Sequence, residues 1–249
     1  MKIREYIKKE HANIKQQPKE ERWQYFWDYY KWHVLAVILA IVLLVQGVIS
    51  IVNRKEVVFS GILLNCAITV DDEAFMQGFY DLTEIDTKKQ EAAFYTDVML
   101  QDGSHKSDIT SFQRIVAGIT TKELDFVVGQ TDSFRVCSYS AGGIFMDLRD
   151  FLDAETLERL SDRLYYIDGS VLKGLNAEPG TAVDTSLQSV PDPRKPETMA
   201  DPIPVGIDIS DREKFQSAYY FPNTTLYIGI ITNTPRPELS RQFIDYLMQ

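Results

Sequence analysis

Val34 to Val52 is a run of nineteen residues without a charge, in which Gln46 and Ser50 are the only polar side chains. As a helix rising ~1.5 Å per residue it spans ~28 Å, close to the thickness of a bilayer's hydrocarbon core. The run is expected to cross a membrane once, and it divides the chain into residues 1–33, a transmembrane helix at 34–52, and a domain at 53–249. Eight Lys/Arg and five acidic residues precede it, whereas the whole chain carries a formal charge of −10. The positive-inside rule then predicts a single-pass protein of the cell membrane, with a cytoplasmic N-terminus and an extracytoplasmic C-terminal domain. The charged, aromatic leader is too long for the n-region of a cleaved signal peptide, and no small-x-small site follows Val48-Ile49-Ser50. Asn65 before Cys66 is the wrong residue for a lipoprotein box, so an uncleaved signal anchor is expected.

Seven of the ten residues from Trp23 to Trp32 are aromatic, and every Trp of the chain is among them. At 100° per residue, Glu20, Gln24, Asp28 and Lys31 fall on one polar face. The expected membrane-interface residues are Trp23, Phe26, Trp27, Tyr30 and Trp32, whose rings suit the lipid headgroup region. The cytoplasmic segment 1–33 is therefore read as an amphipathic, aromatic-rich collar against the lipid bilayer, or else as a docking surface for a protein partner.

The net negative charge argues against a sequence-independent nucleic-acid binder, which needs a basic surface to neutralise phosphates. Two cysteines, Cys66 and Cys137, exclude a disulfide-dense scaffold. An oxidising compartment would permit them to pair, but a strand position and a later helix position favour two buried free thiols. Three histidines, His11, His33 and His105, would have to gather from distant positions to make a Cys/His zinc site, and no metal is expected.

Beyond the span, apolar runs alternate with amphipathic ones. Strands are predicted at Val57–Asn65, Ala92–Leu100 and Leu124–Gly129, and later at Val205–Ile209 and Leu226–Ile231. Helices are predicted at 71–83, 108–121, 131–139 and 238–248. The alternation predicts an α/β domain with flanking helices and parallel strands. Residues 175–204 hold six of the ten prolines and no apolar periodicity, so a surface loop or flap is expected there.

Glu123-Leu124-Asp125-Phe126-Val127-Val128-Gly129-Gln130-Thr131-Asp132-Ser133-Phe134, with Gly142-Gly143-Ile144-Phe145-Met146-Asp147-Leu148, resembles the extracellular solute-binding proteins of ABC importers. Tyr227 to Thr234 and Phe243 to Leu247 are similar to that family's late strand and closing helix. The segment Tyr25–His33 resembles that of membrane-anchored proteins of Gram-positive bacteria. The resemblance implies a reduced periplasmic-binding-protein-like (type II) domain, a mixed sheet with flanking helices, anchored by one transmembrane helix. It also implies a non-catalytic module that captures a small solute at the cell surface. The alternative is a structural or regulatory membrane protein whose outer domain or aromatic helix binds a protein partner.

No chemistry-bearing motif points to an enzyme or a cofactor: the chain has no nucleophile elbow, His-Glu-x-x-His, phosphate loop or dinucleotide fingerprint. Ser138 and Ser140 have no histidine near them in sequence, and Asp71-Asp72-Glu73 is explained by charge at a helix start. In open α/β sheets, ligands sit beyond the carboxyl ends of strands. That rule nominates Asn65 and Cys66 after the first strand, and Gln130, Thr131 and Asp132 after the third. Tyr219 and Tyr220 are further ligand-binding candidates, as rings on which a solute stacks. The competing reading makes all seven turn, cap and packing residues.

Overall fold

The computed structural model describes residues 19–101, 106–174, 190–222 and 225–249. The chain divides into two compact units, 1–54 and 55–249.

The first unit contains helix α1, Lys19–Val52. It runs without a break from the aromatic segment into the apolar one, since no glycine or proline interrupts it before Gly47. Tyr30–Ser50 is long and apolar enough to cross a membrane and has no buried residues. By length and composition it is compatible with a membrane anchor or a signal sequence. Trp27 and Trp32 are exposed, and Tyr30 meets His33 edge-on at 6.1 Å. Trp23 and Phe26 lie outside the residues whose side chains are described.

The second unit is an α/β domain around a mixed six-stranded sheet. In chain order its elements are β1 (Glu56–Leu63), β2 (Ala67–Ile68), α2 (Asp72–Asp81), β3 (Gln90–Tyr95), α3 (Lys106–Thr120), β4 (Phe126–Gln130) and α4 (Thr131–Tyr139). Then come α5 (Leu148–Phe151), α6 (Ala154–Arg159), β5 (Leu164–Asp168), α7 (Gly169–Gly174), β6 (Pro202–Asp208), α8 (Glu213–Ala218), β7 (Tyr219–Tyr220), β8 (Leu226–Ile230) and α9 (Pro237–Met248). The order across the sheet is β3-β1-β4-β8-β6-β5, and β2 and β7 form a separate antiparallel pair.

The expectation of parallel strands holds for half of the sheet. β1 runs parallel to β3 and β4, whereas β8, β6 and β5 are joined by antiparallel pairings. Helical crossovers after β1 and β3 enforce parallel pairing. β8 is reached from β4 only by way of β5, β6 and β7, and it returns beside β4 in the opposite direction. Two further corrections concern extent. β3 ends at Tyr95 rather than near residue 100, because Val98 and Leu100 bond to Asn65 instead of extending the ladder. The expected proline-rich loop gives way to β6, which includes Pro202 and Pro204. β8 pairs with β6 only at Ile207 and Asp208, so both prolines stand where the missing N–H has no second neighbour to serve. Residues 175–189 of that expected loop lie outside the described residues, as does His105.

Each sheet face has its own core. Phe59, Leu63, Phe126 and Val128 point to one face and pack against Phe75, Phe79, Phe215, Phe243 and Ile244 of the helices α2, α8 and α9. Phe126 and Phe243 centre 4.7 Å apart. Ile62, Leu64 and Val127 point to the other face, against Phe112 and Ile115 of α3 and Phe134 of α4. There Phe134 stacks on Phe145 at 4.6 Å. This alternation along β1 and β4 is the period of two that a sheet buried on both faces requires. Gly61 of β1 is fixed by the first core, since a Cβ there would fall inside the Phe126 ring.

Candidate functional site

β1, β3 and β4 run in the same direction, and two antiparallel steps through β8 return β6 to it. Their carboxyl ends therefore share one edge of the sheet. The chain leaves β1 for β3 on one side and later reaches β4 on the other, so the order reverses at β1. This is the position at which ligands bind in open α/β sheets.

All seven nominated residues lie at this edge, in two groups. The first group is Asn65, Cys66, Tyr219 and Tyr220, joined by the pairing of Ala67 with Tyr220 and Ile68 with Tyr219. Asn65 takes a left-handed backbone, φ 56°, which asparagine tolerates well. Its amide holds Leu100 from both sides: Nδ2 donates to the Leu100 carbonyl at 2.6 Å, and the Leu100 N–H donates to Oδ1 at 3.0 Å. That side chain is a loop clamp. Cys66 is buried, and burial pushes its thiol up to about 12. Tyr219 is 2% exposed and packs edge-on against Phe75 at 5.7 Å. Burial also raises its phenol above the ordinary value. Tyr220, 60% exposed, is the one ring of the group on the surface.

The second group begins at Gln130, which ends β4 and stands at the N-cap of α4 in an extended conformation. Its side chain is buried, its Nε2 has no hydrogen-bond partner among the described residues, and it makes no capping bond. An unpaired buried donor of this kind costs ~1–3 kcal/mol, so its presence at the carboxyl edge stands out. Thr131 meets the phenol of Tyr227, and that phenol is raised mainly by burial and also by Asp208. Asp132 is mostly exposed and pairs with Arg135 at 2.9 Å, while Arg135 Nε has no partner among the described residues. Asp208 ends β6 and binds Arg194 at 3.0 Å.

The sequence reading missed Tyr227, Arg135, Arg194 and Asp208. Tyr227 is the residue paired with both Gly129 and Asp208, a relation that only the β4-β8-β6 order creates. Arg135 was within reach, lying three residues after Asp132 on the same helix.

Grooves elsewhere on the domain do not include any of the seven. One among the described residues, ≈ 540 Å³, is lined by Leu157, Leu164, Tyr166, Pro196, Pro202 and Pro204, together with Arg149 and Glu158. Among the described residues, no group of three His, Cys, Asp or Glu is placed to hold a metal ion. Cys66 and Cys137 are both free and buried, in the cores on opposite sheet faces.

No protein-family model, curated protein or solved structure matches the chain. The geometry of the carboxyl edge is then the principal guide to function.

Proposed function

We propose that the protein is a membrane-anchored, extracytoplasmic and non-catalytic binding module of the solute-binding-protein kind, reduced to a single domain. Capture of a small polar solute takes place at the carboxyl edge of the sheet, beside Gln130 and Tyr220. The observation that carries this reading is the unpaired, buried Gln130 amide at the point where the strand order reverses. A polar group of that kind is retained at a cost where something else compensates it. The two segments that carry the resemblance also become neighbours, since β4 pairs with β8 along five residues. Asp132 places negative charge at the α4 N-terminus, which favours a neutral or cationic solute over an anionic one. α1 then serves as an uncleaved anchor with its N-terminus in the cytoplasm, its aromatic segment resting at the lipid interface.

The test is thermal unfolding of residues 55–249, the unit with its own two cores, against sugars, amino acids, short peptides and polyamines. A solute at one hundred times its dissociation constant adds ~2.7 kcal/mol to stability. The shift should be lost in Gln130→Leu and reduced in Tyr220→Ala. A flat response to every class removes the solute reading.

A second reading, recognition of a protein partner, is favoured by one observation. The ≈ 540 Å³ groove is open, apolar and framed by Tyr166 and three prolines, a lining suited to an extended peptide. Cross-linking from a photoreactive residue at position 157 would capture such a partner in cells.

A further inference from the structure

We propose that the amino-terminal edge of the sheet docks on an anionic lipid surface through a cluster of unpaired lysines. The inference rests on the reading of α1 as a membrane anchor. Residues 55–249 hold 17 basic and 31 acidic side chains, so carboxylates are in surplus. All nine arginines of this unit are taken into ion pairs. Lys173 and Lys195 are paired as well. Among the described side chains, Lys55, Lys88, Lys89, Lys122 and Lys214 are the cations of the unit that the surplus leaves without an ion pair. Four of these five stand at one end of the sheet. The Glu56 N–H donates to the Lys89 carbonyl at 2.8 Å, so Lys55 and Lys89 flank the first rung between β1 and β3, with Lys88 next to them. Arg236 donates to the carbonyls of Lys122 and Val57, at 3.1 and 3.4 Å, which brings the turn before β4 to the same end of β1.

Lys122 adds an independent observation. It takes a left-handed backbone, φ 58°, just past the end of α3, where glycine is the usual occupant. A lysine in that place bears a backbone cost, and within the described residues its side chain pairs with nothing that would offset it. Glu56, Glu84, Asp86 and Glu123 share this edge. Asp86 accepts the Lys88 N–H at 3.1 Å, and glutamate stems are two methylenes shorter than those of lysine. The ammonium groups therefore reach a flat surface first. An anionic surface repels the acidic remainder of the unit, so this edge is the one that can approach it. The chain supplies such a surface itself. Only Asn53, Arg54 and Lys55 join Val52 to Glu56, so an anchored chain holds the start of β1 within ~14 Å of the span's end.

The experiment uses the full chain in phosphatidylcholine vesicles, with or without phosphatidylglycerol, each with an acceptor dye on a lipid headgroup. A donor dye is attached through Thr87→Cys at this edge, or through Val70→Cys, which is 93% exposed beside the carboxyl edge. Cys66 and Cys137 are buried and stay unlabelled. From position 87, energy transfer should rise about twofold when phosphatidylglycerol is present, and the rise should vanish in ~0.5 M salt. From position 70 it should stay low in both lipids. Changing Lys55, Lys88, Lys89 and Lys122 together to Gln should abolish the rise, whereas Lys214→Gln should leave it intact. Flotation of the vesicles is followed in parallel. A chain that floats but shows transfer independent of lipid charge, or a fourfold variant equal to wild type, overturns the docking while leaving the anchor standing. A chain that fails to float overturns both.

Discussion

Arg236→Met probes how the amino-terminal edge of the sheet, opposite the candidate site, is held together. Asp125 precedes β4 and is 0% exposed. Its carboxylate accepts hydrogen bonds from the Ser60 N–H at 2.7 Å, the Thr234 hydroxyl at 2.6 Å and the Arg236 Nε at 3.0 Å. Arg236 also donates to the Lys122 carbonyl at 3.1 Å, so one side chain ties the turn before α9 to the turn before β4. Burial raises the Asp125 carboxyl above its ordinary value, while Thr234, Ser60 and the Arg236 charge pull it down. Removing the guanidinium leaves a buried carboxylate with two neutral donors, a loss of ~3–5 kcal/mol for a buried pair. The Arg236 side chain is itself 20% exposed, which places the expected loss at the lower end, ~3 kcal/mol. For a domain of this size that is a fall in Tm of ~6–12 °C.

The pH dependence has a definite sign. A carboxyl whose folded value is raised favours the protonated fold, and that contribution is lost as pH rises through the folded value. Arg236→Met raises Asp125 further, so its penalty should be smaller at pH 5 than at pH 7. Urea unfolding of residues 55–249 at both pH values measures this, and adding Asp125→Asn should recover at least half of the loss. A penalty below 1 kcal/mol, or one that is equal at both pH values, would refute the argument that Arg236 neutralises a desolvated charge.

Three other outcomes are expected. Gly61→Ala forces a methyl group into the Phe126 ring, which is held by Phe59 and Phe243, and should cost ~3 kcal/mol in chemical denaturation, the upper end for overpacking. Stability within 1 kcal/mol of wild type would show that the ring can move aside. Cys66 and Cys137 should resist iodoacetamide at pH 8 until the protein is unfolded, since a thiol raised to about 12 is only ~10⁻⁴ thiolate there. Alkylation of the native protein within minutes would contradict their burial. Asp168 accepts hydrogen bonds from Ser170 Oγ at 2.7 Å and from the N–H groups of Ser170, Ala200 and Asp201, and the Ser170 hydroxyl leads in lowering it to about 2. Asp168→Asn should cost ~1.5–3 kcal/mol at pH 7. Because the folded value is depressed, the wild-type advantage is complete above the ordinary carboxylate range and fades as pH falls through about 2. An advantage that instead grew on acidification would refute the assignment.

The sequence by itself determined the features that depend on local periodicity. The run Val34–Val52 needs only a count of apolar residues, and the helix is continuous through it. The buried strand Phe126–Gln130, the helix Thr131–Tyr139 and the closing helix Pro237–Met248 were legible because their apolar spacing matches their own geometry. The carboxyl-edge rule also nominated residues that do share one edge. β5 escaped notice because Leu164-Tyr165-Tyr166-Ile167-Asp168 is short and has a helical turn on either side. β6 was hidden in part by its prolines, which are tolerated only because β8 stops pairing at Ile207. The tertiary structure alone decided what the nominated residues do. Asn65 is used up by Leu100, Tyr219 by the core, and Tyr227 enters the edge only because β8 lies between β4 and β6. Strand order and side-chain partners are set by contacts between residues far apart in the chain, here by more than thirty positions between Asn65 and Leu100, and a periodic pattern contains no record of them.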